Sequence, residues 1–351
     1  MKYLIDLSQR QAQKIQNYLE EGKYLSISQF VITAIENQFN LEDNQFPLEI
    51  AAENESRKMP HSTFNPLHLT AVLEAYKISD MQNFYATILP PKFNQTVLSS
   101  QGLAEKNAWI WGQINKIFPM KFGLRILQKN LGQKQSMELN EFLDAAAKEA
   151  AEIGNIIREY EKKNEKGRNE KISAGLPQVA DEKSQARYKF QFLAYQRKDD
   201  LLDGLMAILK FCNLEKKNGK TFIGLTEWGV KFSNEPNPVL DKGDLDTSLS
   251  DREIECYLNH VDKHVIGESV AIKWLLDKIN KGINERSQIN KHLNKEYGKI
   301  WGDATDAVIN TQRAGLTARA FELGLIEKEK NGIYVTYSIT ESGLKYLTTS
   351  N

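Results

Sequence analysis

Apolar residues recur along this chain at two periods, and the switches between them mark out its elements. At the start, Tyr3, Ile5 and Leu7 alternate with polar neighbours, which predicts one short strand with those three on one face. Ser8 then opens a helix with Ala12, Ile15 and Leu19 at helical spacing, closed by Gly22, and Ser26 opens a second with Phe30, Val31, Ala34, Ile35 and Phe39 on its apolar side. Residues 40–65 turn polar and irregular around Pro47 and Pro60, which predicts a linker. Helical periodicity dominates afterwards. It predicts helices over 69–78, over 80–89 before Pro90 and Pro91, over 104–118 before Pro119, over 120–131 and over 139–163, the last rich in Ala, Glu and Lys.

Further on, period-two runs come in pairs. Asn218-Gly219, a short apolar run and Leu225-Thr226-Glu227-Trp228-Gly229-Val230-Lys231-Phe232 recur as Asn331-Gly332, a second run and Ile339-Thr340-Glu341-Ser342-Gly343-Leu344-Lys345-Tyr346, about 113 residues later. Asn and Gly accept the positive φ of a two-residue hairpin, and each Thr is placed to cap a following helix. Helices over 201–212 and 304–323 precede the two hairpins. The repeat resembles the wings of winged helix-turn-helix DNA-binding domains, in which such a hairpin follows the third helix. Ser136-Met137-Glu138-Leu139, between two helices, reads as the start of a third, degenerate copy. Residues 268–281 and 285–293 supply two helices ahead of the last copy, after a capping box at Ser250-Asp251-Arg252-Glu253 and a domain boundary near 238–250.

The strand and two helices of residues 1–42 bury too little surface alone, so they need a partner. Their order, their lengths and the Ser-x-Ser-x-Phe opening of the second helix resemble the ribbon-helix-helix domain of the MetJ/Arc/CopG class. That resemblance implies a homodimer paired through the N-terminal strands, with Lys2, Leu4 and Asp6 facing the major groove. It also implies a phosphate at the helix N-terminus formed by Ser26 and Ser28.

Charge narrows the function less than the pattern does. Lys plus Arg and Asp plus Glu number 46 each, so only local patches can attract nucleic acid. Residues 162–198 are the most basic stretch and include Lys162, Lys163, Lys166, Arg168 and Lys171, candidate phosphate contacts. The interleaved Tyr188, Phe190, Phe192 and Tyr195 read mainly as core. On the helix of residues 304–323, Asp306, Asn310, Arg313 and Thr317 form a polar strip; in a groove, Arg313 would meet guanine and Asn310 adenine. Ile309, Leu316, Ala320 and Leu323 line one apolar face. Ala307, Ala314, Ala318 and Phe321 line a second, which suits a buried helix or a subunit contact. Lys328, Lys330 and Asn331 stand at the second wing.

Cys256, His260 and His264 are spaced i, i+4 and i+8, which sets the outer two about 12 Å apart along a helix at 1.5 Å per residue, too far for one tetrahedral metal site. No P-loop, dinucleotide fingerprint, zincin motif or nucleophile elbow occurs, so no cofactor, metal or enzymatic activity is expected. Two free cysteines and no apolar run of membrane-spanning length point to a cytoplasmic, nucleoid-associated protein.

The expected fold is mainly α (α+β): residues 1–42 as ribbon-helix-helix, 43–65 as linker, 66–245 as a helical region with a winged helix whose wing is 214–229, and 246–351 as a C-terminal winged helix. The expected function is that of a dimeric, sequence-specific, double-stranded DNA-binding protein regulating prokaryotic transcription. Two alternatives stand beside it: a plasmid replication or partition protein, and a protein–protein adaptor whose winged helices no longer bind DNA. Asp6, the second apolar face and the zero net charge favour the adaptor.

Overall fold

A computed structural model describes residues 13, 15–17, 66–78, 109–132, 134–167, 170–196, 202–302, 304–332 and 334–348. The chain divides into two compact units, Met1–Arg57 and Lys58–Asn351. In the first, residues 13 and 15–17 are helical. Lys2, Leu4, Asp6, Ser26 and Ser28, and the helix expected over 80–89, lie outside the described residues, as does all of the expected linker. The described chain is mainly helical with small antiparallel sheets. Among the described residues no helix is long and apolar enough to cross a membrane.

The second unit opens with α1 (Pro66–Leu73), which tightens into a 3-10 turn over Glu74–Tyr76. Residues 109–117 were expected to be helical, yet they run as irregular backbone. Tertiary partners take the groups a helix would use: Ile110 and Ile114 give their carbonyls to Arg319, and Ile117 gives its N–H to Glu322. Helix α2 (Phe118–Leu131) starts with Pro119, whose missing N–H is harmless in a first turn. It is buried on nearly every side.

Strand β1 (Met137–Glu138) leads into α3 (Leu139–Lys163), where Ala146, Ala147, Ala150 and Ala151 make the buried stripe. Helix α4 (Glu182–Gln191), capped by Asp181, and a two-residue ribbon of β2 (Tyr195–Gln196) and β3 (Leu202–Asp203) follow. The helix expected over 201–212 shrinks to α5 (Leu205–Ile208). Gly204 at φ 91° ahead of it and Lys210 at φ 57° after it break the helical backbone on both sides.

Strands β4 (Cys212–Lys217) and β5 (Lys220–Leu225) form the first hairpin, with Asn218 at φ 53° and Gly219 at φ 75° between them. Strand β1 pairs with β5, Met137 opposite Ile223, so the sheet order is β1-β5-β4. The stretch expected to begin a third winged helix is therefore an edge strand of the first hairpin's sheet. Its partner lies too far along the chain for local pattern to show.

Helices α6 (Glu227–Asn234) and α7 (Pro238–Lys242) lead to α8 (Asp251–His264), which opens on the Ser250–Glu253 capping box. Then come α9 (Ile266–Asn280), α10 (Arg286–Tyr297), a 3-10 turn over Gly298–Trp301 and α11 (Asp306–Glu322). The second hairpin joins β6 (Ile326–Asn331) to β7 (Tyr334–Ile339), and α12 (Glu341–Thr348) closes the described chain. A bridge between Glu285 and Thr336 occupies the place that β1 holds in the first sheet. Asn331 does not sit in the second turn, as its Asn-Gly sequence suggests. It pairs with Tyr334, and Gly332 takes the positive φ of 63°.

Three cations lock this unit from inside. Lys121 Nζ lies 2.9 Å from Glu253 and donates to the carbonyls of Phe232 and Glu235. Arg125 forks onto both oxygens of Asp241 and onto the Ser233 and Tyr76 carbonyls. Arg319 forks onto Glu268. All three side chains are sealed from water, where a charge is tolerable only when paired and fully hydrogen-bonded.

Candidate nucleic-acid interface

The two hairpins are entered and closed in the same way. Each is entered through a left-handed residue, Lys210 in the first and Gly324 at φ 66° in the second. The next N–H closes the helix end, Phe211 to the Met206 carbonyl at 2.9 Å and Leu325 to the Ala320 carbonyl at 3.0 Å. Thr226 donates from Oγ1 to the Lys210 carbonyl at 2.8 Å, and Thr340 to that of Gly324 at 2.7 Å. The same hydroxyls cap the following helices, accepting from Gly229 N at 3.1 Å and Gly343 N at 3.0 Å. Both glycines are required by close approach. A Cβ on Gly229 would lie 1.9 Å from the Phe211 oxygen, and one on Gly343 2.1 Å from the Leu325 oxygen.

Both hairpin tips stand in solvent. The first presents Lys216, Lys217, Asn218 and Lys220, the last paired with Glu138 at 2.6 Å. The second presents Lys330, Asn331 and Tyr334, with Tyr334 72% exposed, while Lys328 is half-buried. No protein-family model, curated protein or solved structure matches this chain.

The polar strip of α11 is largely enclosed. Arg313 and Thr317 are each only 4% exposed. Asn290 of α10 donates to Asn310 Oδ1 at 2.6 Å and accepts from Arg313 Nε at 3.0 Å, so the two expected base readers are spent on one asparagine. Thr317 Oγ1 donates to the Ala314 carbonyl at 3.1 Å. Behind them stands Tyr337 of β7. Burial raises its phenol, but Arg313 and a hydrogen bond with Thr317 outweigh that and bring it below its ordinary value. Arg313 and Thr317 face inward because α10 and the hairpin wall them in, while Asn310 is half-buried and Asp306 exposed. Residues 109–117 pack on α11 at Gly315, which meets Gly112 so closely that a Cβ would lie 2.1 Å from the Gly112 oxygen, while on the second apolar face Ala314 is buried and Ala307 is exposed.

The basic stretch is mixed. Lys162 and Lys163, in the last turn of α3, are exposed, as is Lys171. Lys166 is paired with Asp246 at 2.5 Å, and the hydrogen bond to that carboxylate raises its pKa. Arg168 lies outside the described residues. Tyr188 and Phe192 are core, as their size suggests, and Phe190 is half exposed.

A further cation cluster escaped the sequence reading. Lys291, Asn294 and Lys295 of α10, with Gly298, Lys299 and Ala304, line an open hollow of about 500 Å³. The three lysines are exposed and spaced i, i+4 and i+8. Glu296, between them in sequence, turns to the other side of α10, where it binds Trp274 Nε1 and Lys278, each at 2.7 Å. The signal was present: at the i±3 and i±4 positions of Lys291 and Lys295 there is no acid.

The His260 and His264 rings lie 5.0 Å apart and tilted by 40° beside Trp228, and His260 Nε2 sits 2.7 Å from the Leu209 carbonyl. Burial first of all lowers the His260 pKa to about 4. Among the described residues no three His, Cys, Asp or Glu side chains gather closely enough to hold a metal.

Proposed function

We propose that this chain is a duplex-DNA-binding protein that grips the phosphate backbone through its hairpin tips and exposed lysines, with little base reading by α11. The observation that carries this is the pair of similarly built helix–hairpin–helix units, each ending in a solvent-exposed tip, the first bearing Lys216, Lys217 and Lys220 and the second Lys330. Clustered cations release counterions from DNA and give an affinity that depends little on sequence. Support for the winged helix resemblance comes from the pairing of β1, which lies between two helices, with β5 in the first copy and from the Glu285 bridge to Thr336 in the second. The strand-helix-helix pattern of residues 1–42 supports a homodimer, which would bring four such tips to one duplex. In that form the protein acts as a prokaryotic regulator or replication factor by occupying DNA.

One observation favours the adaptor reading: α11 is enclosed on two faces, by α10 and β7 on one and by residues 109–117 on the other. Retention of the full chain on duplex DNA at stepped salt separates the two. Binding that weakens steeply with salt supports the backbone grip, and no retention at low salt supports the adaptor.

A further inference from the structure

We propose that the hollow formed by Lys291, Lys295 and Lys299 is a phosphate-binding site that seats the phosphodiester backbone of one DNA strand. This rests on the DNA-binding reading and gives it a location outside the two hairpins.

Elsewhere on the second unit, several lysines are held by acids. Lys166 holds Asp246, Lys189 holds Asp144, Lys220 holds Glu138, Lys278 holds Glu296 and Lys281 holds Asp277, at 2.5 to 2.8 Å. The three lysines of the hollow have no acidic partner among the described residues, in a chain whose charges balance overall. Like charges four residues apart on a helix repel, so the arrangement costs stability unless an anion neutralises it.

The floor is shaped to leave room. A Cβ on Gly298 would lie 2.2 Å from Asn294 Oδ1, so glycine lets the asparagine lie flat across the turn. The Ala304 N–H donates to the Gly298 carbonyl at 3.2 Å and brings the start of α11 to the rim. The N-terminal end of that helix adds a positive dipole there, partly offset by Asp306 in its first turn. An open hollow of about 500 Å³ is larger than a single inorganic phosphate needs, which suits a stretch of strand lying across it.

The test compares the parent chain with Lys291→Gln/Lys295→Gln/Lys299→Gln and with Lys148→Gln/Lys242→Gln/Lys263→Gln, which removes the same charge from exposed positions elsewhere. Circular dichroism checks that all three fold. With a labelled duplex, the hollow variant is expected to bind about tenfold more weakly at moderate salt. Its slope of log K against log salt is expected to be shallower by about two, the loss of roughly two phosphate contacts. The control variant keeps the parent slope. If hollow and control variants behave alike while the parent binds, the site is refuted and the DNA-binding reading survives. If the parent does not bind duplex even at low salt, that reading falls and titration with inorganic phosphate and pyrophosphate decides what remains. Binding that the hollow variant loses then assigns the site to a free anion and refutes the duplex as its occupant. No binding refutes the site itself.

Discussion

Arg319 Nε lies 2.7 Å from Glu268 Oε1 and its Nη2 lies 3.0 Å from Oε2, with both side chains sealed from water. The guanidinium's remaining donors reach the carbonyls of Ile114 and Ile110, so one residue ties α11 to α9 and to the irregular segment over it. Removing one partner strands a buried charge. Glu268→Gln should cost about 3–5 kcal/mol in chemical denaturation, whereas Arg319→Met with Glu268→Leu should recover much of that loss. A Glu268→Gln protein as stable as the parent would mean that the pair is solvated.

The matched glycines give a paired prediction. Gly229→Ala and Gly343→Ala each drive a methyl group into a backbone oxygen that cannot retreat without opening its hairpin. Each should lose about 1–3 kcal/mol of unfolding free energy, and the two losses should be similar because the surroundings are the same. A loss confined to one copy would show that the duplication is not energetic.

Much of this was legible in the sequence because it is local. The Asn218-Gly219 turn, the Thr226 and Thr340 caps, the Ser250–Glu253 capping box and the bounds of α3 all depend on neighbours within a few residues. What stayed hidden depends on distant partners. Arg125 finds Asp241, 116 residues along, so a cation that reads as surface becomes core. Met137 finds Ile223, so an apparent new domain becomes the edge of an existing sheet. The α11 strip is polar on a helical wheel whether or not α10 covers it, and only the fold shows Asn290 holding Arg313 and Asn310. The lysines of α10 were readable in the sequence, but that they line one hollow with Lys299 and Ala304 depends on the turn that follows the helix.

That node also has a measurable consequence. Arg313→Ala leaves Asn290 with an unmet acceptor beside buried Tyr337, so it should destabilise the protein by about 1–3 kcal/mol. It should not alter relative affinities among duplexes of different sequence. Relaxed sequence preference at unchanged stability would restore α11 as a base reader.

His260 gives the acid side of the stability profile. Burial holds its folded pKa near 4, against an ordinary value of 6.5. Between those values the unfolded chain binds a proton that the folded chain does not, so stability is lost as pH falls through the window. His260→Gln, which can still donate to the Leu209 carbonyl, should show a shallower decline from pH 6.5 to about 4.5 in denaturant titrations. A decline as steep as the parent's would assign the loss to other groups.

The grip on DNA is tested most directly by fluorescence anisotropy of the full chain with a labelled duplex, stepped from about 50 to about 200 mM salt. Neutralising about four phosphates at the hairpin tips predicts a straight line of log K against log salt and a roughly hundredfold loss of affinity over that range, much the same for unrelated sequences. Failure to bind any duplex at 50 mM, or an affinity indifferent to salt, would contradict it.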